Sequence, residues 1–282
     1  AVCCLSSLNL EKYDEWKDDN NFIPDVMRML DNVLTDFIEK APESFSDATY
    51  SALKERSVGL GVMGLHSYFQ QKKIPFESVM SKVWNKKIFS NIQKQVDQAS
   101  KDLADERGPC PDAADYGINE RFSNKTAIAP TASISIICGG TSPGVEPIAA
   151  NSYTHKTLSG SFNVRNKYLT EVLEKYGKND EETWSSITTN QGSVSHLDFL
   201  SQNEKDVFKT AFELDQRWIV DLGADRTPHI SQAQSINIFI PADIHKKDLH
   251  QIHFQAWKKG LKSLYYCRSK SIQRAENVND AN

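Results

Sequence analysis

Two adjacent tyrosines, Tyr265 and Tyr266, stand in the apolar run LKSLYY near the end of the chain. A phenol with an ordinary pKa of about 10 keeps its proton at neutral pH, so oxidising it must move an electron and a proton together. Adjacent residues of a strand point to opposite faces, and each buried hydroxyl needs a partner. The pair is therefore either two packed aromatic side chains or a redox-active pair, and the residues alone leave both interpretations open.

The cysteines offer a second possible redox function. They are Cys3, Cys4, Cys110, Cys138 and Cys267. None forms a CxxC motif or a zinc-ligand spacing, and because no secretory signal opens the chain we expect free, reduced thiols. Strand alternation points neighbouring side chains to opposite faces, so Cys3 could face a cavity while Cys4 packs. The alternative is two buried small hydrophobic residues.

The segment PTASIS, residues 130–135, combines hydroxyls with small residues after a short apolar strand. Such a turn lets backbone N–H groups approach an anion and suits a phosphate. The alternative is an ordinary strand followed by a Pro-Thr turn, since Ser and Thr are common in loops. The following CGGTSPG stretch lacks the Walker lysine and does not match GxGxxG, which excludes both nucleotide-loop motifs.

Composition limits the remaining functions. The 282 residues carry 33 Lys+Arg against 37 Asp+Glu, a net charge of −4, and 39% apolar residues. This balance argues against broad nucleic-acid binding, and no apolar run is long enough to span a membrane. None of the seven histidines belongs to an HExxH motif. We assign structural roles to them and to Glu43, Glu146 and Glu213.

Strands alternating with helices predict an α/β fold with mainly parallel pairing, in one unit. A strand is predicted within residues 1–10. Residues 1–5, 126–129, 235–240 and 261–266 are predicted to be neighbouring strands in a partial barrel. Helices are predicted over residues 24–40, 56–73, 78–107, from the capping box at Ser201 to about Leu222, and from Pro241 to about Lys259. The glycines of the second helix would permit close packing, and the tail, residues 269–282, is polar.

Taken in order, these motifs resemble the large (alpha, catalytic) subunit of ribonucleotide reductase, specifically the C-terminal half of its ten-stranded α/β barrel. AVCCLSSLNL (residues 1–10) resembles the strand of a redox cysteine, ERSVGLGVMGLHSYF a glycine-punctuated helix, and residues 126–147 the substrate-phosphate segment. ADRTPHISQAQSINIFI and HFQAWKKGLKSLYYCRS resemble the closing strands, the latter with the tyrosine pair in residues 261–266. The resemblance covers essentially the whole chain, 1–282.

The resemblance also implies roles for single residues. Cys3 would form a disulfide as the substrate ribose is reduced, while Cys4 stands where the family tolerates other residues. Leu5 would lie beside the substrate. The residues that would hold the substrate diphosphate, through hydroxyls and backbone N–H groups, are Pro130, Thr131, Ala132, Ser133 and Ile134.

Tyr265 and Tyr266 would form the stacked pair that relays a radical from a small subunit to the active-site thiol. Adenosylcobalamin-dependent relatives do not need this pair, so its presence favours a class I enzyme. The resemblance implies no metal or cofactor bound directly by this chain. It implies a metal-radical cofactor in the small subunit, a ribonucleoside diphosphate substrate, and thioredoxin or glutaredoxin as external reductant. It also implies a dimeric full assembly in the cytoplasm, without nucleic-acid or membrane partners.

The chain departs from the family pattern in one important respect. It contains no Asn-x-Cys-x-Glu motif, which in the family holds the thiyl-radical cysteine and the acid/base glutamate. We therefore expect an incomplete or split large subunit that requires the N-terminal half. Two alternatives stay open: a non-catalytic barrel remnant that binds nucleotide or a partner subunit, and a fragment of a cobalamin-dependent (class II) reductase.

Overall fold

The structure is a computed structural model that describes residues 2–157 and 160–270. Its strands are β1 (Leu5–Asn9), β2 (Gly59–Met63), β3 (Ser152–Thr157), β4 (Gly160–Arg165), β5 (Ile238–Pro241) and β6 (Cys267–Lys270). Its helices are α1 (Tyr13–Trp16), α2 (Phe22–Lys40), α3 (Ser46–Glu55), α4 (Leu65–Gln71), α5 (Val79–Arg107), α6 (Pro111–Ala114), α7 (Ile134–Ile137), α8 (Lys167–Lys175), α9 (Glu181–Thr189), α10 (Gln202–Val207), α11 (Gln216–Arg226) and α12 (Lys246–Lys258). Ala1 and residues 271–282 of the predicted polar tail lie outside the described residues.

Parallel segments lie side by side in the order in which they occur in the chain. β1 pairs in parallel with β2, Leu60 of β2 forms a parallel bridge to Thr126, and Ile128 forms one to Gln234 just before β5. β5 in turn pairs in parallel with β6. Helices lie in every connection between them, as parallel pairing requires. This succession of five segments confirms the α/β fold class and agrees with half of a ten-stranded barrel.

The helix predicted over residues 56–73 is wrong in its first half, which forms β2. All five residues of β2 are buried, because the strand lies between β1 and residues 126–128, and burial on every side removes the alternation that marks a strand in a sequence. The glycines do permit close packing, as predicted. A Cβ added to Gly61 would stand 2.2 Å from the carbonyl oxygen of Ala127.

Several predicted strand bounds also change. β1 begins at Leu5, so the two cysteines precede it, and residues 126–129 contribute two isolated bridges rather than a continuous strand. β2 separates these segments, which were predicted to be neighbours. The strand predicted over residues 261–266 is wrong, because β6 begins at Cys267. Residues 261–264 instead lead from the end of α12, where Gly260 has a φ of +77°, back to β5.

The helix predictions are mostly confirmed. α2, α5 and α12 lie where their apolar spacing and end signals predict them. The capping box is present, with the Ser201 side chain accepting from the N–H of Glu204 and the Glu204 side chain accepting from Ser201. The helix that it opens ends at Val207, however, and α11 begins separately with Asp215 as its N-cap. A turn fastened by Glu213, which accepts from the N–H of Thr210, separates the two helices.

Two apolar clusters stabilise the described part of the chain. The larger one contains buried residues of the parallel segments and of α2, α5 and α11. A smaller one, around the buried Trp184, belongs to α8, α9 and α10. Gln70 of α4 connects the two, since its Nε2 donates to the carbonyl oxygen of Val207 (3.5 Å) and its Oε1 accepts from Asn166 (3.0 Å).

Candidate functional site

The tyrosine pair forms a direct ring contact. The ring centroids of Tyr265 and Tyr266 lie 4.1 Å apart with an angle of 54° between the planes, and both side chains are exposed. Strand alternation predicts opposite faces, and that prediction is wrong because the pair precedes the regular strand β6. A hydrogen bond with Tyr266 raises the pKa of the Tyr265 phenol. The phenol therefore stays protonated at neutral pH.

The backbone of Tyr265 and Tyr266 forms hydrogen bonds with residues just before β5 and within it. The N–H of Tyr265 donates to the carbonyl oxygen of Ile236 (2.8 Å), and the carbonyl oxygen of Tyr266 accepts from Ile238 (2.9 Å). The guanidinium of Arg268 lies 5.6 Å from the centroid of the Tyr266 ring, close enough for a cation–π contact. The aromatic rings thus extend from a backbone that the sheet holds in register.

Sequence reasoning missed two polar residues beside this pair. Asn237, 1% exposed, accepts from the N–H of Tyr266 (2.9 Å) and donates to Glu146 (2.5 Å). Burial is the main influence on Glu146 and raises the pKa of its carboxyl group. The sequence shows only that Glu146 is the one charged residue in the stretch 126–147. It does not indicate which residue the carboxylate contacts.

Cys3 and Cys4 occupy different environments. Cys3 is exposed, whereas Cys4 is buried and its thiol donates to the carbonyl oxygen of Leu30 (3.7 Å). Burial raises the pKa of the Cys4 thiol, which makes it a poor nucleophile at neutral pH. Leu5 follows with 43% of its surface exposed. Cys3 and Leu5 are therefore the accessible residues at the start of β1.

The segment that contains Pro130 and Ile134 forms a tight turn into α7 rather than continuing a strand. Thr131 has a φ of +52° and is buried, and its carbonyl oxygen accepts from the N–H of Ser135 (3.1 Å). Ala132, Ser133 and Ile134 are exposed. The turn is therefore accessible from solvent.

Thr131 also makes a side-chain hydrogen bond that the sequence did not predict. Its Oγ1 accepts from the N–H of Gly144 (2.7 Å), where a Cβ would stand 3.0 Å from the carbonyl oxygen of Ala129. This contact fastens the glycine-rich loop, residues 138–147, against the turn. Because Glu146 belongs to the same loop, the turn and the tyrosine pair are connected through it.

The predicted site residues are distributed along the row of parallel segments. Cys3 and Leu5 lie at β1, residues 130–134 follow the bridge at Ile128, and the tyrosines lie beside β5. β2 and residues 126–128 lie between the cysteine segment and β5.

In residues 2–157 and 160–270, no group of three His, Cys, Asp or Glu side chains could hold a metal ion. No helix of the same residues is long and apolar enough to cross a membrane.

Residues 1–117 and 112–267 match the family described as "Ribonucleotide reductase, barrel domain". The chain belongs to this family, which confirms the resemblance of its motifs.

Individual relatives of the chain are large subunits of the same enzyme family. The chain is 52% identical over 282 residues to the ribonucleoside-diphosphate reductase large subunit of Invertebrate iridescent virus 6, covering 99% of this chain and 29% of that protein. It is 43% identical to the putative large subunit of Frog virus 3, covering 100% and 50% respectively. Among solved structures, the class Id ribonucleotide reductase alpha subunit of Actinobacillus ureae matches with a TM-score of 0.90 and 38% identity, covering 98% of this chain and 51% of that one. The chain thus spans about half or less of the length of these proteins.

Proposed function

We propose that this chain supplies part of the active site of a class I ribonucleoside-diphosphate reductase large subunit. It contributes the redox thiol of Cys3, the phosphate-binding turn at residues 130–134 and the tyrosine pair. The ring contact of Tyr265 and Tyr266 carries this proposal, because a radical can hop between phenols whose rings touch. A pair used only for packing would be buried, whereas both tyrosines are exposed.

In the proposed relay each phenol loses one electron and its proton to become a neutral radical, and regains both from the next donor. The first oxidant is the metal-containing radical centre of a separate small subunit. The final donor is a cysteine thiol in the remaining part of the large subunit, which becomes a thiyl radical. The raised pKa of Tyr265 keeps the proton available for this coupled transfer.

Reduction of the substrate replaces the ribose 2′-hydroxyl by hydrogen and releases water, which requires two electrons and two protons. Two thiols supply them on forming a disulfide. The exposure of Cys3 suits a thiol that must reach a substrate, and thioredoxin or glutaredoxin would later reduce the disulfide. The pKa of the buried Cys4, raised mainly by burial, makes this residue unsuited to the same role.

The turn at residues 130–134 would bind the substrate diphosphate. The N–H groups of Ser133 and Ile134 open α7 and have no carbonyl partner within the helix, as at any helix start. The Ser133 hydroxyl lies beside them at the exposed surface. Leu5 would contact the nucleoside. The buried Thr131 would act mainly by fixing the shape of the turn through Gly144.

Coexpression tests the proposal. The chain is combined with a polypeptide that supplies the Asn-x-Cys-x-Glu part of the barrel and with a radical-generating small subunit, and formation of deoxyribonucleoside diphosphate is measured. We expect turnover from the assembled complex and none from the chain alone. A complex that assembles and binds nucleotide without turnover would instead support a non-catalytic barrel.

A further inference from the structure

A buried asparagine connects the tyrosine pair to a buried carboxylate. Asn237 Nδ2 donates to Oε1 of Glu146 (2.5 Å), and its Oδ1 accepts from the backbone N–H of Tyr266 (2.9 Å). A peptide N–H can only donate, and an ionised carboxylate can only accept. The two contacts therefore fix a single orientation of the Asn237 side chain, which is 1% exposed.

Glu146 depends on this contact. The residue is 8% exposed, and among the side chains that the structure describes no lysine or arginine lies within ion-pair distance of its carboxylate. A buried carboxylate that loses its donor is strongly unfavourable. Glu146 and Asn237 thus hold each other in place, and Asn237 in turn holds the Tyr266 backbone.

The same loop also reaches the proposed phosphate turn. Gly144, two residues before Glu146, donates to the buried Thr131 Oγ1 (2.7 Å), and the N–H of Glu146 donates to the carbonyl oxygen of Pro143 (3.1 Å). One short loop is therefore fastened to Thr131 at one end and, through Glu146 and Asn237, to Tyr266 at the other.

We propose that Asn237 and Glu146 are positioning residues that keep Tyr266, and with it the tyrosine pair, at the distance that the radical relay requires. Neither residue is oxidised. The catalytic consequence rests on the proposed function, whereas the positioning itself rests on the contacts of Asn237. A role in barrel stability alone predicts a different result, namely turnover reduced only in proportion to the fraction of folded protein.

The positioning is tested on the 282-residue chain by hydrogen exchange of single amides, comparing Asn237→Ala with the exposed control Asn203→Ala. Loss of one hydrogen bond should make the Tyr266 amide exchange about tenfold faster, while the Tyr265 amide, bonded to Ile236, changes little. If Asn237→Ala does not fold, Glu146→Ala serves as the second variant, with acceleration again confined to Tyr266. Unchanged exchange at Tyr266, or equal acceleration at both amides, would overturn the proposal.

The consequence for the relay is tested in the coexpressed reductase. Glu146→Gln keeps an oxygen that accepts from Asn237, whereas Glu146→Ala removes it. We expect Glu146→Ala to lower kcat about tenfold with an unchanged KM, and to slow the loss of the small-subunit radical by the same factor, with Glu146→Gln restoring both. An unaltered kcat in Glu146→Ala would overturn the role in the relay. Inactivity of the unsubstituted complex would contradict the proposed function and leave the exchange experiment as the test of positioning.

Discussion

Gly61 lies against the backbone of Ala127 in the neighbouring parallel segment, so closely that an added Cβ would stand 2.2 Å from the carbonyl oxygen. A backbone oxygen cannot move aside by side-chain rotation. We therefore expect Gly61→Ala to lower the free energy of unfolding by about 3 kcal/mol, the upper part of the usual range for overpacking. Urea denaturation monitored by circular dichroism measures this change.

Gly59→Ala is the matched control in the same strand. Its added Cβ would meet Cδ2 of Leu5 at 2.3 Å and the Cβ of Ala127 at 2.9 Å. The end of the leucine side chain can rotate away, and the contact with Ala127 is much less close than that of Gly61 with the Ala127 carbonyl oxygen. The expected loss is about 1 kcal/mol. Equal losses for the two variants would show that β2 does not pack against residues 126–128 as closely as the structure describes.

Strand β2 shows why only part of the fold could be predicted from the sequence. Helices with an apolar stripe and clear end signals, such as α2 and α5, could be predicted because those signals are local. β2 could not, because its burial depends on neighbours far along the chain and its run GLGVM has no alternation. The glycines were correctly associated with close packing, but the sequence does not identify what they pack against.

The site was predictable to the extent that its residues are adjacent in the chain. The tyrosine pair and the PTASIS turn are visible in the sequence, and their roles remain predictions. The contact between the tyrosine rings was not predictable from alternation, since it depends on where β6 begins. The contact of Glu146 with Asn237 joins residues 91 positions apart, and no local pattern indicates it.

His66 makes the stability of the fold sensitive to acid. It is fully buried, its Nδ1 accepts from the N–H of Ile148 (2.9 Å), and burial lowers its pKa to about 3. Below the unfolded pKa of about 6.5 the unfolded chain binds a proton that the folded chain does not. This residue should therefore reduce the free energy of unfolding by about 1.4 kcal/mol for each pH unit between about 6.5 and 3.

Replacing His66→Gln keeps an acceptor for Ile148 and removes the titration. We expect the free energy of unfolding of the variant, measured by urea denaturation between about pH 6 and 4, to fall less steeply than that of the unsubstituted chain by about 1.4 kcal/mol per pH unit. Identical slopes would mean that His66 takes up its proton in the folded state as readily as in the unfolded state.

Cys3→Ser should separate reduction from radical transfer in the coexpressed reductase. A hydroxyl cannot form a disulfide, so the ribose should not be reduced normally, while the small-subunit radical should still be consumed when substrate is added. Product analysis and radical quantification measure the two steps. Cys4→Ser, which removes the neighbouring buried thiol, serves as the control and should turn over normally. Normal product from Cys3→Ser would exclude Cys3 as the reductant.

Ser133→Asp should weaken substrate binding. A carboxylate in the exposed turn would repel the substrate phosphates, so we expect KM to rise about tenfold, equivalent to about 1.4 kcal/mol, with the fold unchanged by circular dichroism. Ser133→Asn has the same shape without the charge and should have a smaller effect. An unaltered KM in the aspartate variant would exclude this turn from the phosphate site.

Tyr265→Phe and Tyr266→Phe remove the oxidisable hydroxyl and keep the ring. Each should leave the free energy of unfolding almost unchanged, because both side chains are exposed. Turnover should nevertheless be abolished, since a radical cannot hop through phenylalanine. Normal turnover of both variants would show that the relay does not need the tyrosine pair and would favour a cobalamin-dependent protein.

The most direct test of the tyrosine relay is the fate of the small-subunit radical, followed by electron paramagnetic resonance after mixing with substrate and each large-subunit variant. We expect the radical to be consumed with the Cys3→Ser protein and to persist with either Tyr→Phe protein. Consumption of the radical at the unsubstituted rate in both Tyr→Phe proteins would contradict the relay through Tyr265 and Tyr266.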